Sequence, residues 1–313
     1  MRKDFVNEVA RTQKIKRADL IEKDFILHQV LFDLAKNRFF HDNFVFKGGT
    51  CLAKCYLDYF RFSEDIDFTW KNQSVFEGKS QKEIRRYLSV VIDSVGEVFE
   101  EIAEKRGLDF RCLKNDRNYV ELGGGDKSCT FTVWYQSEVL GRRSFLKVQM
   151  NFVEKTCYPF KGAELKSLIS GNHEELGLLF PEYQEYSRKI AFDVYDPREI
   201  LAEKIRAILT RRGMKSRDFL DVYLINKTFG ISLEDIFGCV MEKTRFTLNL
   251  YARYRTNLEQ KRATILSTPF NWGEEKGLLL RDIDEKDFYE FIEKIRKLLM
   301  KAIEGLPERE KGS

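Results

Sequence analysis

Apolar positions recur at helical spacing over residues 18–39, where Ile21, Phe25, Leu27, Leu31, Phe32 and Leu34 form a stripe with His28 on the same face. Phe44-Val45-Phe46 then predicts a short strand ending at Lys47-Gly48-Gly49-Thr50, followed by a helix from Thr50 to about Tyr59. Alternation in Asp65-Ile66-Asp67-Phe68-Thr69-Trp70 predicts a second strand. Residues 71–79 read as a loop. The segment 80–106 reads as a long amphipathic helix with Ile84, Leu88, Val91, Ile92, Val95, Val98, Phe99 and Ile102 on one side. A glycine turn at 123–125 and two alternating stretches, 129–135 and 144–153, predict an antiparallel pair; 155–190 carries no regular pattern.

The pattern changes at Asp196-Pro197-Arg198-Glu199, where an Asp cap, Pro in the first turn and Glu three residues after the cap start a helix that Gly213 ends. Further helices are expected at 216–228, 232–243, 247–264 and 285–304, with a solvated tail from Leu306 to Ser313. The expected fold is α+β: a mixed sheet with flanking helices over 1–190 and a helical bundle over 191–313.

Composition supports a packed protein. Of 313 residues, 43% are hydrophobic and 33% charged, which rules out wholesale disorder. No apolar run reaches the roughly 18 residues a membrane helix needs, and the N-terminus has no signal-peptide core, so a cytoplasmic protein is expected. The six cysteines form no Cys-x-x-Cys pair, so they are read as small reduced hydrophobes and no zinc site is expected. Trp70, Trp134 and Trp272 are read as core or partly buried rings, and Lys54 as a solvated helix residue. The net charge of +4 says little, but its distribution says more. Lys204 to Arg217 holds six basic residues and no acid, and Lys243 to Arg262 holds six more against Glu259 alone. With Arg142, Arg143, Phe246, Tyr251 and Tyr254, these runs are candidates for an RNA-binding face, or are solvated helix faces.

The chemistry concentrates in 44–70. A strand delivers Gly48 and Gly49 onto a helix N-terminus, where free N–H groups and the helix dipole favour an anion such as a phosphate. Asp65 and Asp67, two apart on a strand, share one face while Ile66 points to the core. Like charges so placed are tolerated when a hard cation bridges them, which suits Mg²⁺. A metal beside a phosphate cradle is the arrangement for phosphoryl or nucleotidyl transfer.

These residues resemble the DNA polymerase β-like nucleotidyltransferases, whose signature is a Gly-Gly/Ser pair followed by Asp-x-Asp on the next strand. The chain resembles more closely the AbiEii/AbiGii toxin family of type IV toxin–antitoxin (abortive infection) systems. The matching text is Phe46-Lys47-Gly48-Gly49-Thr50-Cys51-Leu52-Ala53-Lys54 and Arg61-Phe62-Ser63-Glu64-Asp65-Ile66-Asp67-Phe68. A second block matches at Glu199–Ala207 and Arg217–Tyr223. The resemblance implies that Gly48, Gly49 and Thr50 cradle the nucleotide phosphates, that Asp65 and Asp67 hold Mg²⁺ or Mn²⁺, and that Lys204 and Asp218 are needed for activity. Ser63, within the motif, either bonds the phosphate or caps the strand entry. Lys204 has independent support, since it projects from the middle of the apolar face of Ile200, Leu201, Ile205 and Ile208 and needs a compensating anion there. The bland alternatives are a snorkelling stem or an internal pair with Asp218.

One departure concerns the base. The superfamily usually places a third carboxylate on a later central strand, and the corresponding stretch, Leu146–Asn151, offers Gln149. A glutamine cannot take up a proton at neutral pH, so either Asp218 or metal activation serves. The resemblance implies transfer of NMP from an NTP to an acceptor hydroxyl, such as an RNA or tRNA 3′ end. It also implies an antitoxin encoded nearby that forms no stable complex with the toxin. The competing readings are a GTP-binding sensor without catalysis and transfer to a protein hydroxyl. Neither the NTP nor the oligomeric state is legible.

Overall fold

The computed structural model describes residues 2–170 and 174–306 and divides into two compact units. The first takes in residues 1–154 and 160–194, the second residues 155–159 and 195–313. The first unit contains α1 (Arg2–Gln13), α2 (Ala18–Lys36), α3 (Arg38–Asn43), β1 (Phe44–Lys47), α4 (Gly48–Cys51), β2 (Asp65–Trp70), α5 (Gln81–Arg106), β3 (Val120–Gly123), β4 (Ser128–Gln136), β5 (Arg143–Asn151), β6 (Lys161–Leu165), α6 (Glu174–Leu179) and β7 (Ile190–Val194). The second is helical, with α7 (Pro197–Thr210), α8 (Ser216–Phe229), α9 (Phe237–Leu250), α10 (Ala252–Thr264) and α11 (Glu285–Glu304). The fold is α+β, as the pattern predicts.

The seven strands form one mixed sheet in the order β3-β4-β5-β2-β1-β7-β6. β2 is its middle strand, antiparallel to β1 and parallel to β5. Strand alternation divides the sheet's faces by chemistry. On one face lie Phe44, Phe46, Ile66, Phe68, Val148, Met150 and Phe131, all fully buried. Phe40 of α3 stacks on Phe44 and meets Phe68 edge-on, and Phe99 of α5 meets Phe131 edge-on. This aromatic layer uses six of the chain's 26 phenylalanines, Phe40, Phe44, Phe46, Phe68, Phe99 and Phe131. The other face carries Asp65 and Asp67 beside Lys147, Gln149, Thr130 and Thr132, all partly exposed. In this unit, then, one sheet face builds the core, and the other, although Val45, Lys47 and Thr69 on it are buried, presents both aspartates at partly exposed positions.

The structure revises several local expectations. The first long helix breaks at Asn37, whose side chain accepts the Phe40 N–H and starts α3. The capping box at the start of α5, where the Ser80 and Glu83 side chains each bond the other's backbone N–H, fixes that helix at its expected limit. The helix after Gly48 is shorter than expected. Its last turn, Leu52–Tyr56, is π-helical, and Asp58 and Tyr59 take φ values of +47° and +54° to reverse the chain. β3, β6 and β7 were not apparent in the sequence: each is short, β3 and β6 alternate weakly, and β7, though it alternates, spans only five residues. Of the tail expected at 306–313, Leu306 is buried and the rest lies outside the described residues. In the helical unit, α9 runs through the expected gap at 244–246, because Thr244, Thr247 and Leu248 stay buried, and it breaks instead at Tyr251.

Lys54 corrects the sequence reading most sharply. It is 1% exposed and its ammonium lies 2.8 Å from the Asp24 carboxylate, with the Tyr59 hydroxyl as a second partner. Burial pulls its pKa down and the Asp24 charge opposes that shift. His28 is buried as expected, its Nε2 lying 3.1 Å from the Arg188 carbonyl and its ring edge-on to Tyr186. Trp70 is buried, while Trp134 and Trp272 are partly so.

Candidate functional site

The glycine turn and the acidic strand meet through sheet register. β1 and β2 pair so that Lys47 lies opposite Asp67, which brings the end of β1, and therefore Gly48, against the start of β2. Gly48 has φ +78°, a conformation that favours glycine. A Cβ built there would lie 2.2 Å from Asp67 Oδ2. The Asp67 carboxylate therefore packs directly on the Gly48 backbone. Asp65 shares its strand face, and both carboxylates are partly exposed. Gly48→Ala is expected to destabilise the protein by about 2–4 kcal/mol, the sum of left-handed strain and overpacking. A urea midpoint unchanged from wild type would show that the turn can relax.

Gly49 is constrained by different neighbours. A Cβ there would lie 2.5 Å from the Arg61 guanidinium and 3.2 Å from Ser63 Oγ. Arg61 is 2% exposed and donates to the Phe62 carbonyl at 2.8 Å. Arg61 belongs to the motif in the sequence, and its burial beneath the turn depends on a tertiary fit the local pattern does not carry. Thr50 is buried and donates its hydroxyl to the Asp65 carbonyl, so any part it plays at an anion falls to its backbone N–H. This bond also ties α4 to the head of β2. Lys47, another residue the sequence reading passed over, is 3% exposed and reaches Glu154 at 3.1 Å. Glu154 in turn lies 3.4 Å from the Asn151 amide. Gln149 stands in register beside Asp67, and Lys147 beside Asp65. The central strand next to the two aspartates therefore carries an amide and an ammonium, with no acid.

In the helical unit, Lys204 has the anion its position demanded. Its Nζ lies 3.1 Å from Asp218 Oδ1 and 2.6 Å from Asp221 Oδ2, and Arg211 holds Asp218 Oδ2 at 2.9 Å. Asp218 and Asp221 are almost fully buried. This is the internal pair that the sequence left open, enlarged by Asp221. Burial alone would push the Asp218 carboxyl up, but the Lys204 and Arg211 charges outweigh it and bring its pKa down to about 2. The sign for stability follows. A depressed carboxylate stabilises the fold above its unfolded pKa near 4, and that contribution is lost as pH falls toward 2. Wild type is expected to lose on the order of 2 kcal/mol more than Asp218→Asn between pH ~5 and pH ~2.5. Equal losses in urea melts at those two pH values would refute the coupling.

The start of α7 departs from its expected form. Asp196 caps the helix through the Arg198 N–H, but Glu199 does not turn back to the cap. Instead it accepts the Cys157 and Tyr158 N–H groups, each at 2.9 Å, and the Lys243 ammonium. Cys157, Glu199 and Cys239 offer three ligand atoms within 4.8 Å of one another, a grouping not apparent from cysteine spacing. Lys243 already sits on that carboxylate, which opposes a cation there. Asp65 and Asp67 are the better metal candidates, as hard oxygen donors on an accessible sheet face.

The two basic runs prove uneven. Lys204 is ion-paired internally, Lys243 is fully buried, and Lys261 is 4% exposed. Arg212, Lys215, Arg245, Arg253 and Arg255 remain on the surface. Arg253 stacks over Tyr254 at 4.9 Å, while Arg143 pairs with Asp109. No helix among the described residues is long and apolar enough to cross a membrane.

No curated protein matches the chain. Among solved structures, JHP933 from Helicobacter pylori is 16% identical, with a TM-score of 0.44 covering 92% of this chain and 94% of that one. A second H. pylori structure, described as a candidate nucleotidyltransferase, is also 16% identical at a TM-score of 0.44, covering 93% of this chain and 99% of that one. The model of the nucleotidyl transferase AbiEii toxin family, of type IV toxin–antitoxin systems, matches residues 29–307. The chain, with its glycine turn packed on an Asp-x-Asp strand, therefore belongs to the AbiEii family of nucleotidyl transferase toxins.

Proposed function

We propose that this toxin transfers a nucleoside monophosphate from an NTP to an acceptor hydroxyl, at the 3′ end of an RNA such as tRNA: the hydroxyl oxygen bonds the α-phosphorus, the α–β phosphoanhydride bond breaks, and pyrophosphate leaves. The observation that carries the reading is the contact of the Asp67 carboxylate with the Gly48 backbone, with Asp65 on the same strand face. In this reading the backbone N–H groups of Gly48, Gly49 and Thr50 would hold the triphosphate, and the Ser63 hydroxyl lies beside Gly49. Asp65 and Asp67 would hold Mg²⁺ or Mn²⁺, which when bound supplies charge neutralisation at the phosphates and acidifies the attacking hydroxyl. Gln149 has no basic site, and Asp218 at about 2 holds a proton too weakly to act as a strong base at neutral pH. In this reading Asp218 instead pairs with Lys204 and holds it in place. Growth arrest would follow from blocked acceptor ends, opposed by an antitoxin encoded nearby that forms no stable complex with the toxin.

The test is incubation with each α-labelled NTP, Mg²⁺ and total tRNA. Labelled RNA from wild type and none from Asp65→Ala is the expected result. Label on protein would move the acceptor to a protein hydroxyl. Metal-dependent GTP binding without turnover on any substrate would favour the sensor reading, which the Gln149 position motivates. Sequencing RNA 3′ ends from cells expressing the toxin would name the acceptor.

A further inference from the structure

The helical unit contains a cavity of about 400 Å³ between the turn after α7, one face of α10 and residues 268–271. Its size is that of a nucleotide-sized ligand rather than a lone ion. Its lining includes Arg211 and Lys261 and, among the described residues, neither Asp nor Glu. Lys261 is nearly buried and donates to the Gly213 carbonyl, but forms no ion pair among the described residues. A buried ammonium whose hydrogen bond goes to a carbonyl retains donors, and its burial brings its pKa down to about 8, a shift that the Asp218 carboxylate, shared with Lys204 and Arg211 and outside the lining, opposes. Arg211 spends one edge on Asp218 and keeps its side chain 44% exposed. Asn257 donates to the Thr210 carbonyl, which leaves its amide oxygen, while Gln260 is exposed at the rim. Phe270 supplies an aromatic wall.

Cationic walls without acids select an anion, and amides beside an aromatic ring suit a nucleobase. We infer that this cavity seats a phosphorylated nucleotide, its phosphate on Lys261 and Arg211 and its base among Phe270, Asn257 and Gln260. The choice of a nucleotide rests on the transfer reading above. Such a group has two sources, a free NTP or the terminal nucleotide of an RNA acceptor.

The experiment measures fluorescence anisotropy on the full chain with two probes. One is a 5′-labelled single-stranded octaribonucleotide with a free 3′ end, and the other a fluorescent NTP analogue. Lys261→Met removes the ammonium, and Thr264→Trp fills the cavity from an exposed position on its lining. Both variants are expected to weaken at least one probe tenfold or more, with melting temperatures near that of wild type. For the oligonucleotide, Lys261→Met should also flatten the slope of log affinity against log salt by about 0.7, as loss of one phosphate contact requires. A loss confined to the oligonucleotide assigns the cavity to the acceptor, and one confined to the analogue assigns it to the NTP. Wild-type affinity for both probes in both variants, or no saturable binding of either probe to wild type, overturns the inference. Asp67→Asn, assayed alongside, is expected to lose transfer but keep cavity binding. If wild type transfers label to nothing, the transfer reading fails while the anisotropy still reports on the cavity.

Discussion

Asp67→Asn is expected to lower nucleotidyl transfer by at least about a thousandfold, or about 4 kcal/mol of transition-state stabilisation. The substitution keeps the shape of the side chain against Gly48 and removes its charge. An amide is a poor ligand for a hard divalent cation, so metal affinity falls with the rate. Asp65→Asn should behave alike, because both carboxylates sit on one strand face and would serve one ion. Groups acting on one ion are not additive, so the double variant should be little worse than either single one. Melting temperatures should stay within a few degrees of wild type, since both residues are partly exposed. Single-turnover rates with labelled NTP decide the matter. A rate within tenfold of wild type for Asp67→Asn would remove these carboxylates from the chemistry.

Lys204→Ala is expected to cost about 3–5 kcal/mol of stability, the usual penalty for breaking a buried ion pair from one side. It leaves Asp218 and Asp221, both almost fully buried, without the ammonium that both face. Arg211 still holds one oxygen of Asp218, which keeps the loss from exceeding that range. Adding Asp218→Asn to Lys204→Ala should recover part of the loss, because one stranded charge is removed with its partner. Denaturant melts of the two single variants and the double variant measure the coupling. Strict additivity would mean that Lys204 and Asp218 do not stabilise each other. Activity of these variants is meaningful only at temperatures where each is folded, since a loss of this size is a large fraction of a typical domain's stability.

The two blocks of residues that matter were legible for different reasons. Asp65-Ile66-Asp67-Phe68 announces its faces by alternation alone, and the structure shows Ile66 and Phe68 buried and both aspartates partly exposed. Lys204 announced itself by standing on an apolar helical stripe, which demands a compensating anion and left Asp218 as one open candidate. The partners proved to be Asp218 and Asp221, fourteen and seventeen residues away in the chain and one helix later. The buried lysines were misread for the same reason. Lys54 looked like any solvated helix residue until Asp24, from another helix, was brought to it. Lys243 counted toward a basic face and proved to be the internal counter-ion of Glu199.

By itself, then, the sequence determined the α+β layout, the strand–glycine–helix turn and the side of the strand on which both aspartates stand. These follow from periodicity and backbone freedom, which act over a few neighbouring residues. Only the tertiary structure decided that Asp67 rests on Gly48, that Arg61 lies beneath Gly49, and which lysines carry surface charge. A buried ion must meet its counter-charge, and that meeting joins residues far apart in the chain through packing, which local pattern does not encode.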